Sequence, residues 1–470
     1  VTHTLILDIG KTNAKLLLIN EAGEVLAREV QANEAVQGPD YLELGVAALE
    51  AWLLRCIPAL PQRERIAHLH ISTHGAAFCA IDGERLVLPP MDYEWDGYGA
   101  HREAFHRLAD GFDATGSPDL PLGLNAGLQL YWLQQTQPAA WQRIRYWLPY
   151  PQYWAWWFSG VAASEVSSLG CHTHLWLPER QQPAAWARRA GIADLFAPLR
   201  PAWEVLGPVK PDLAVRLQLP TTCQVHVGVH DSNACLARHL HAVPHGTVVS
   251  TGTWCVVMAP GGTAAALTPG RDELVNVSVE GGAVPTARFM GGREFAALCG
   301  GADPALATLA ALDELLAQGW AATPSFAEAG PYQGQQGRVW QHGLVQAAGA
   351  QAVPAHLRPA LAALYGADIT AELVASLANG AAASAPVVVE GPLAGNVVYN
   401  TALSAWLAGR RVLRSTDALE GTARGAWMLA DWPARARLSG WYEPLPEVGQ
   451  DLQQRLHRYR NQRTALLVSI

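Results

Sequence analysis

The sequence predicts a mixed α/β chain built as two halves of related construction, and three observations carry that prediction. The first is length, because 470 residues exceed what one hydrophobic core organises. The second is the opening LILDIGKTNAKLLLI, an apolar strand, a polar glycine turn and a second apolar strand. The third is the near-repeat of that pattern in GTVVSTGTWCVVM at residues 246–258. Two strand–turn–strand units in one chain point to a duplicated architecture.

Taken in order, Thr4–Ile9, Ala14–Asn20 and Val25–Val30 read as a three-stranded meander, with a turn at Glu21-Ala-Gly23-Glu. Runs that are apolar on both faces suggest strands sandwiched between layers. Residues 40–57 repeat apolar positions at helical spacing, and Ile66–Ser72 and Ala76–Asp82 are strand-like again. Residues 146–164 carry no formal charge and several tryptophans, but Pro149, Pro151 and Gly160 interrupt them. They predict a buried helix rather than a membrane span, which needs about 20 apolar residues. A boundary near Pro244 separates residues 1–244 from 245–470. The second half continues with helices at 304–318 and 359–379, a strand at Pro386–Glu390 and a helix over 396–408. The tail 451–463, with four arginines, reads as a solvated terminal helix.

The net charge of −8 offers no cationic field for nucleic acid or anionic lipid. Any polyanion must therefore be gripped locally, by backbone amides or one or two lysines. Seven cysteines without a CxxC pair read as reduced thiols, and the opening lacks the look of a secretion signal. A soluble, cytoplasmic protein without nucleic-acid or membrane partners is expected. The oligomeric state is not fixed by the sequence, and a homodimer remains open.

A carboxylate at the end of a buried strand is costly unless something pairs with it, so Asp8 marks a site. Gly10-Lys11-Thr12 is not a nucleotide P-loop, because Leu5 stands where that motif needs glycine and a strand follows instead of a helix. A tight turn between strands still presents amides that bind phosphate, and Asp8 beside it suits Mg²⁺ and its waters. The plainer reading is a hairpin with Lys15 paired to Asp8. Asp231 follows a glycine-ended strand and opens a helix, as a cap or as a general base. Ser250-Thr-Gly-Thr253 is a second phosphate-type turn, and Glu390-Gly-Pro-Leu-Ala-Gly395-Asn396 is a turn that lets a flat ring approach backbone. His68, His70 and His74, and Cys171, His172 and His174, lack a second half at zinc spacing and read as satisfied side chains. Neither a serine-hydrolase elbow nor a dinucleotide fingerprint is present.

The order of these signals resembles the FGGY carbohydrate kinases of the actin/hexokinase-like superfamily, over nearly the whole chain. His-Asp231-Ser-x-Ala, Ser-x-Gly-Thr-Trp254, Glu280-Gly-Gly282 and Phe289-Met-Gly291 look most like the rhamnulokinase and fuculokinase branch. Glu420-Gly-Thr-Ala-Arg-Gly425-Ala is similar to the closing helix motif near the nucleotide. The resemblance implies two ribonuclease H-like domains, 1–244 for sugar and 245–470 for nucleotide, with an interdomain active-site cleft. It implies ATP and Mg²⁺ as cofactors and Asp231 as the base. Mg²⁺ falls to Asp8 and Asp231. The phosphates and nucleoside fall to Gly10, Lys11, Thr12, Asn13, Lys15, Thr251, Gly252, Thr253, Gly391, Asn396 and Asn400. The sugar falls to Thr73, His74, Gly75, Glu94, Trp95, Asn125, Gln129 and His230 beside Asp231. The expected acceptor is a small ketose, a deoxyhexulose such as L-rhamnulose or L-fuculose, with a pentulose, tetrulose or polyol as alternative. A non-catalytic sensor and a phosphatase-like hydrolase are the rivals from other classes. The sequence departs from the pattern at Lys11, where a small residue is usual, at Glu390-Gly391-Pro392, and in lacking Asp-x-Arg at 92–96.

Overall fold

The structure is a computed structural model that describes residues 2–417, 421–438 and 441–468. Strands β1 (His3–Ile9), β2 (Asn13–Asn20) and β3 (Val25–Ala32) form the expected meander. Every residue of β1 is buried, as a strand covered on both faces must be. Helix α1 (Val46–Cys56) starts later than its apolar spacing suggested, because residues 42–44 pair as a short strand and Gly45 caps the helix. Strand β4 (Ile66–Thr73) runs parallel to β1. The uncharged stretch at 146–164 divides into a strand, Tyr146–Pro149, and helix α2 (Tyr150–Ser159). The prolines explain the division: Pro149 stays extended, Pro151 fits the first helical turn, and Gly160 ends the helix at φ 77°. Strands β5 (Val205–Pro208), β6 (Gln224–His226) and β7 (Val229–His230) lead into helix α3 (Asp231–Leu240).

The pattern then repeats. Strands β8 (Thr247–Ser250) and β9 (Cys255–Met258) form an antiparallel pair, followed by β10 (Glu273–Val277) and β11 (Ala283–Phe289). Helix α4 (Gly291–Cys299), the long helix α5 (Arg358–Leu377) and strand β12 (Val387–Glu390) follow. Helix α6 (Val397–Trp406) begins at Asn396, whose side chain accepts the Tyr399 N–H. Strand β13 (Val412–Ser415), helix α7 (Gly421–Leu429), strand β14 (Tyr442–Pro444) and helix α8 (Gln450–Val468) complete the chain. Helix α5 is long and apolar enough to cross a membrane by length and composition, and most of it is buried in the protein.

One sheet has the order β5-β6-β4-β1-β2-β3, with β7 also on β4, and the other β10-β11-β9-β8-β12-β13-β14. In each, an antiparallel meander is extended by two parallel strands and closed by an antiparallel one. The chain forms two compact units that are not contiguous in sequence. Unit 1 holds Val1–Ala242, Val275–Ala283 and Leu419–Ser439, and unit 2 holds Val243–Leu274, Val284–Ala418 and Gly440–Ile470. Helix α7 thus belongs to unit 1, although the motif it carries was expected beside the nucleotide half; Glu420 itself lies outside the described residues.

The tail corrects another expectation. Helix α8 is not a solvated appendage, since Leu456, Tyr459 and Arg463 are buried. Arg463 and Arg460 both reach Asp368 of α5, with Arg460 Nε 2.9 Å from Oδ1. A buried carboxylate needs such partners, and two of the arginines that looked like surface charge provide them.

Candidate active site

In unit 1 the chemistry-bearing residues gather at the carboxyl ends of neighbouring parallel strands, where open α/β sheets bind ligands. Strand register sets Ile9 beside Thr73 and Thr73 beside His230, and the His74 N–H bonds the Ile9 carbonyl at 2.8 Å. Asp8 is buried one residue back from that edge, opposite Lys15 across the hairpin. The turn between β1 and β2 is closed by the Gly10 N–H on the Asn13 carbonyl at 2.9 Å. Asn33 staples it from outside, donating its backbone N–H to Thr12 O and its side-chain amide to Gly10 O. Sequence reading missed Asn33; its only signal is a polar amide directly after β3. Lys11 and Thr12 keep N–H groups without an acceptor among the described residues, as an anion-binding turn requires. The exposed side chains of Thr12 and Asn13 flank it.

Asp231 occupies the first turn of α3, after His230 as the cap residue. Its Oδ1 accepts the Ser232 N–H at 2.6 Å and lies 3.2 Å from His230 Nε2. The Asn233 amide nitrogen sits 3.1 Å from His230 Nδ1. An amide nitrogen only donates, so Nδ1 accepts and the imidazole proton resides on Nε2, which bonds Cys171 Sγ 3.3 Å away. Burial holds His230 below its ordinary value and hence neutral. Gly75 permits this approach, because a Cβ there would stand 2.9 Å from Nε2. Asp231 Oδ2 has no protein partner among the described residues. His230, expected as a sugar contact, has its two ring nitrogens on Cys171 and Asn233.

His74 is the polar atom most plainly awaiting a ligand. Its Nδ1 bonds the Gly75 carbonyl at 2.9 Å and must carry the proton, while the buried Nε2 has no partner among the described residues. Thr73 donates its hydroxyl to the His74 carbonyl. Lys11 departs from its phosphate assignment: its Nζ is 2.6 Å from Asp92 Oδ2 and 3.1 Å from Glu94 Oε2. Trp95 packs edge-on against Tyr98 and Trp132. Asn125 and Gln129 are corrections. Asn125 gives its amide to Pro118 and His172 carbonyls and takes the Leu120 N–H. Gln129 donates to Ala76 and Gly123 carbonyls. Both are buried scaffold for the loops around the site.

Unit 2 offers a matching edge. Thr251 turns inward, its hydroxyl donating to Glu390 O and accepting the Leu393 N–H, so it stitches the two glycine turns together. Gly391 has φ 80°, and a Cβ there would stand 2.0 Å from the Thr251 carbonyl, which only glycine avoids. Gly252 and Thr253 remain accessible at the turn, backed by the start of α4, where a Cβ on Gly292 would meet Gly252 O at 2.5 Å. Nearby, Arg288 lies over the Trp254 ring and pairs with buried Asp272. A cavity of about 460 Å³ is lined by Gly395, Val397, Asn400, Leu445 and Gly449, among others. Asn400 donates to Ala394 O, while its buried Oδ1 has no partner among the described residues. Thr401, Arg414, Glu443 and Glu447 also line the cavity, and its apolar part with the Asn400 acceptor suits a flat heteroaromatic ring that carries an amine. Asn396 is spent as the α6 cap and does not supply that acceptor.

Of the other candidate histidines, His68 Nδ1 meets His226 Nε2 at 3.1 Å, His70 bonds the Ala202 carbonyl and His172 the Leu124 carbonyl, whereas neither ring nitrogen of buried His174 has a hydrogen-bond partner among the described residues. None of the seven cysteines forms a disulfide among the described residues. Among the described residues no group of three or more His, Cys, Asp or Glu could hold a metal ion. A water-shelled Mg²⁺ needs only one or two carboxylates, which the buried Asp8 and the open oxygen of Asp231 can provide.

Known proteins match this architecture. The family model Carbohydrate kinase FGGY, C-terminal domain, matches residues 244–437. A carbohydrate kinase from Novosphingobium aromaticivorans is 33% identical, with a TM-score of 0.86 over 99% of this chain and 98% of that one. The xylulose kinase from Rhodospirillum rubrum shares the fold at 18% identity, with a TM-score of 0.78 over 99% of this chain and 98% of that one. The L-fuculokinase of Escherichia coli (strain K12) is 23% identical over 264 residues, 54% of this chain and 56% of that protein. The chain therefore spans about half the length of the curated relatives it matches. Duplicated sheets with a glycine turn after the first strand of each, the match at residues 244–437 and the full-length likeness at 33% identity agree: the fold is actin/hexokinase-like, and the chain belongs to the FGGY carbohydrate kinases.

Proposed function

We propose that the protein is an ATP- and Mg²⁺-dependent kinase that phosphorylates the terminal primary hydroxyl of a small ketose, a deoxyhexulose such as L-rhamnulose or L-fuculose. The observation that carries the reading is Asp231, with one carboxylate oxygen fixed by Ser232 beside the His230 ring and the other without a partner among the described residues. Asp231 Oδ2 takes the hydroxyl proton as the sugar oxygen bonds to the γ-phosphorus and the bond to the β,γ-bridging oxygen breaks, leaving ADP. His74 Nε2 accepts from a second sugar hydroxyl. The N–H groups of Lys11, Thr12, Gly252 and Thr253 receive phosphate oxygens, and Asn400 Oδ1 accepts the adenine amine. Magnesium, held through water by Asp8 and Asp231, would neutralise phosphate charge. Gripping the triphosphate by amides and a metal reconciles nucleotide binding with a net negative chain. The branch assignment rests on the L-fuculokinase likeness and the His-Asp231-Ser motif.

A pentulose, as used by the similar xylulose kinase, or a tetrulose or polyol is the alternative. Operation in the cytoplasm, where ATP and reduced thiols coexist, completes the proposal. The test is ADP release over a panel of ketoses and polyols with Mg²⁺ present and chelated. Stimulation by one ketose, lost on chelation, is the expected result. Turnover indifferent to sugar would replace the reading by a hydrolase, and absence of turnover by a sensor.

A further inference from the structure

Lys11 stands on the phosphate-type turn yet points its charge elsewhere, and that choice constrains the acceptor. Asp92 is fully buried, with Oδ2 on the Lys11 ammonium and Oδ1 accepting the Glu94 N–H. Swinging Lys11 towards a phosphate would leave that carboxylate buried without its cation, which is strongly unfavourable. The ammonium also meets Glu94 and lies 5.4 Å from the Tyr93 ring centroid. Tyr93 in turn packs edge-on against His74, the histidine whose buried Nε2 is unpartnered. Lys11 is thus the clasp that fixes residues 92–94 beside His74. Asp92 is consumed by the clasp, whereas the Glu94 side chain is half exposed and keeps an oxygen for a ligand.

The charge balance of this pocket wall is one-sided. His74 feels the charges of Asp231, Asp92 and Lys11, and burial keeps it neutral. The Lys11 ammonium is engaged by two carboxylates, Asp92 and Glu94, and has no charge left for a third. An aldonate or other acidic sugar would meet the half-exposed Glu94 carboxylate with that ammonium already spent, while an uncharged sugar finds hydroxyl acceptors in Glu94 and His74.

Resting on the kinase reading above, we infer that the Lys11 side chain sets specificity in the acceptor site rather than binding the triphosphate, and that its clasp on Asp92 and Glu94 selects uncharged sugars over sugar acids. Binding measured apart from turnover tests this. Melting shifts and calorimetry are recorded for wild type, Lys11→Met and Glu94→Gln with L-rhamnulose, L-fuculose, D-xylulose, D-gluconate and a non-hydrolysable ATP analogue with Mg²⁺. Wild type should bind a ketose and not D-gluconate. Lys11→Met should weaken the ketose at least tenfold and change nucleotide affinity less than twofold. Glu94→Gln, which leaves the Lys11–Asp92 pair in place, should weaken the ketose as well and narrow the discrimination against D-gluconate. Loss of nucleotide binding with the ketose retained in Lys11→Met overturns the inference, as does wild-type preference for D-gluconate or indifference to every ketose. Intact selective binding without phosphoryl transfer upholds the clasp and removes only the kinase reading.

Discussion

A carboxylate serves as a base only if one lone pair is both presented and unspent. Asp231 meets that condition because the Ser232 N–H and hydroxyl occupy its other oxygen, with the His230 ring 3.2 Å away. Asp231→Asn should lower ketose-dependent turnover by about 10²–10⁴-fold and leave nucleotide affinity within a factor of two, checked by ADP release and calorimetry. Wild-type turnover in that variant would remove the base. The burial of Asp8 was legible because a carboxylate inside an apolar strand stands out, and the place of Asp231 because an acidic residue opens a helix directly after a strand. The partners of Lys11 were not, since Asp92 lies 81 positions away and only the fold brings them together. Asn125 and Gln129 misled for the opposite reason: a polar side chain looks the same in sequence whether it meets a ligand or a loop carbonyl.

Among the elements, helices α3 and α7 hold the base in place. They cross so closely that a Cβ on Gly425 would stand 1.7 Å from the Ala234 carbonyl oxygen, and one on Gly421 would stand 2.6 Å from Cys235 Sγ. Gly425→Ala should force the helices apart, costing about 1–3 kcal/mol of stability and lowering turnover at least tenfold through displacement of Asp231. Chemical denaturation and ADP release read the two effects, and an unchanged protein would show that the crossing has slack. The strands flanking both turns were readable from period and punctuation, because buried strands need continuous apolar runs. Helix α8 was not, because an arginine that solvates a surface and one that neutralises buried Asp368 share one letter.

Across the whole molecule, acid sensitivity is unevenly placed. Burial keeps His68, His70, His226 and His239 of unit 1 below their ordinary values, His226 at about 4. Such groups take up protons more readily when unfolded, so their stabilisation is complete above about pH 6.5 and is lost as pH falls towards 4. Glu165, raised to about 7 by burial, acts in the reverse sense and recovers part of the loss as it protonates. In unit 2 burial raises Glu294, which favours that unit in mild acid. Hydrogen exchange at pH 7.5 and 5.0 should show β4 and β6 losing protection before α5, and the reverse order would contradict the assignment. The duplicated sheet order was legible from two glycine turns, but the interleaving of the units was not, because no local pattern says which half a late helix joins. That interleaving also sets a timetable for synthesis. When residue 244 leaves the ribosome, the glycine helix that must cover Ala234 does not yet exist; at typical elongation rates it follows on the order of 10–30 s later. The nascent front half should therefore stay protease-sensitive until helix α7 has been made, and a gene divided after residue 244 should yield one incomplete fragment rather than a free-standing domain.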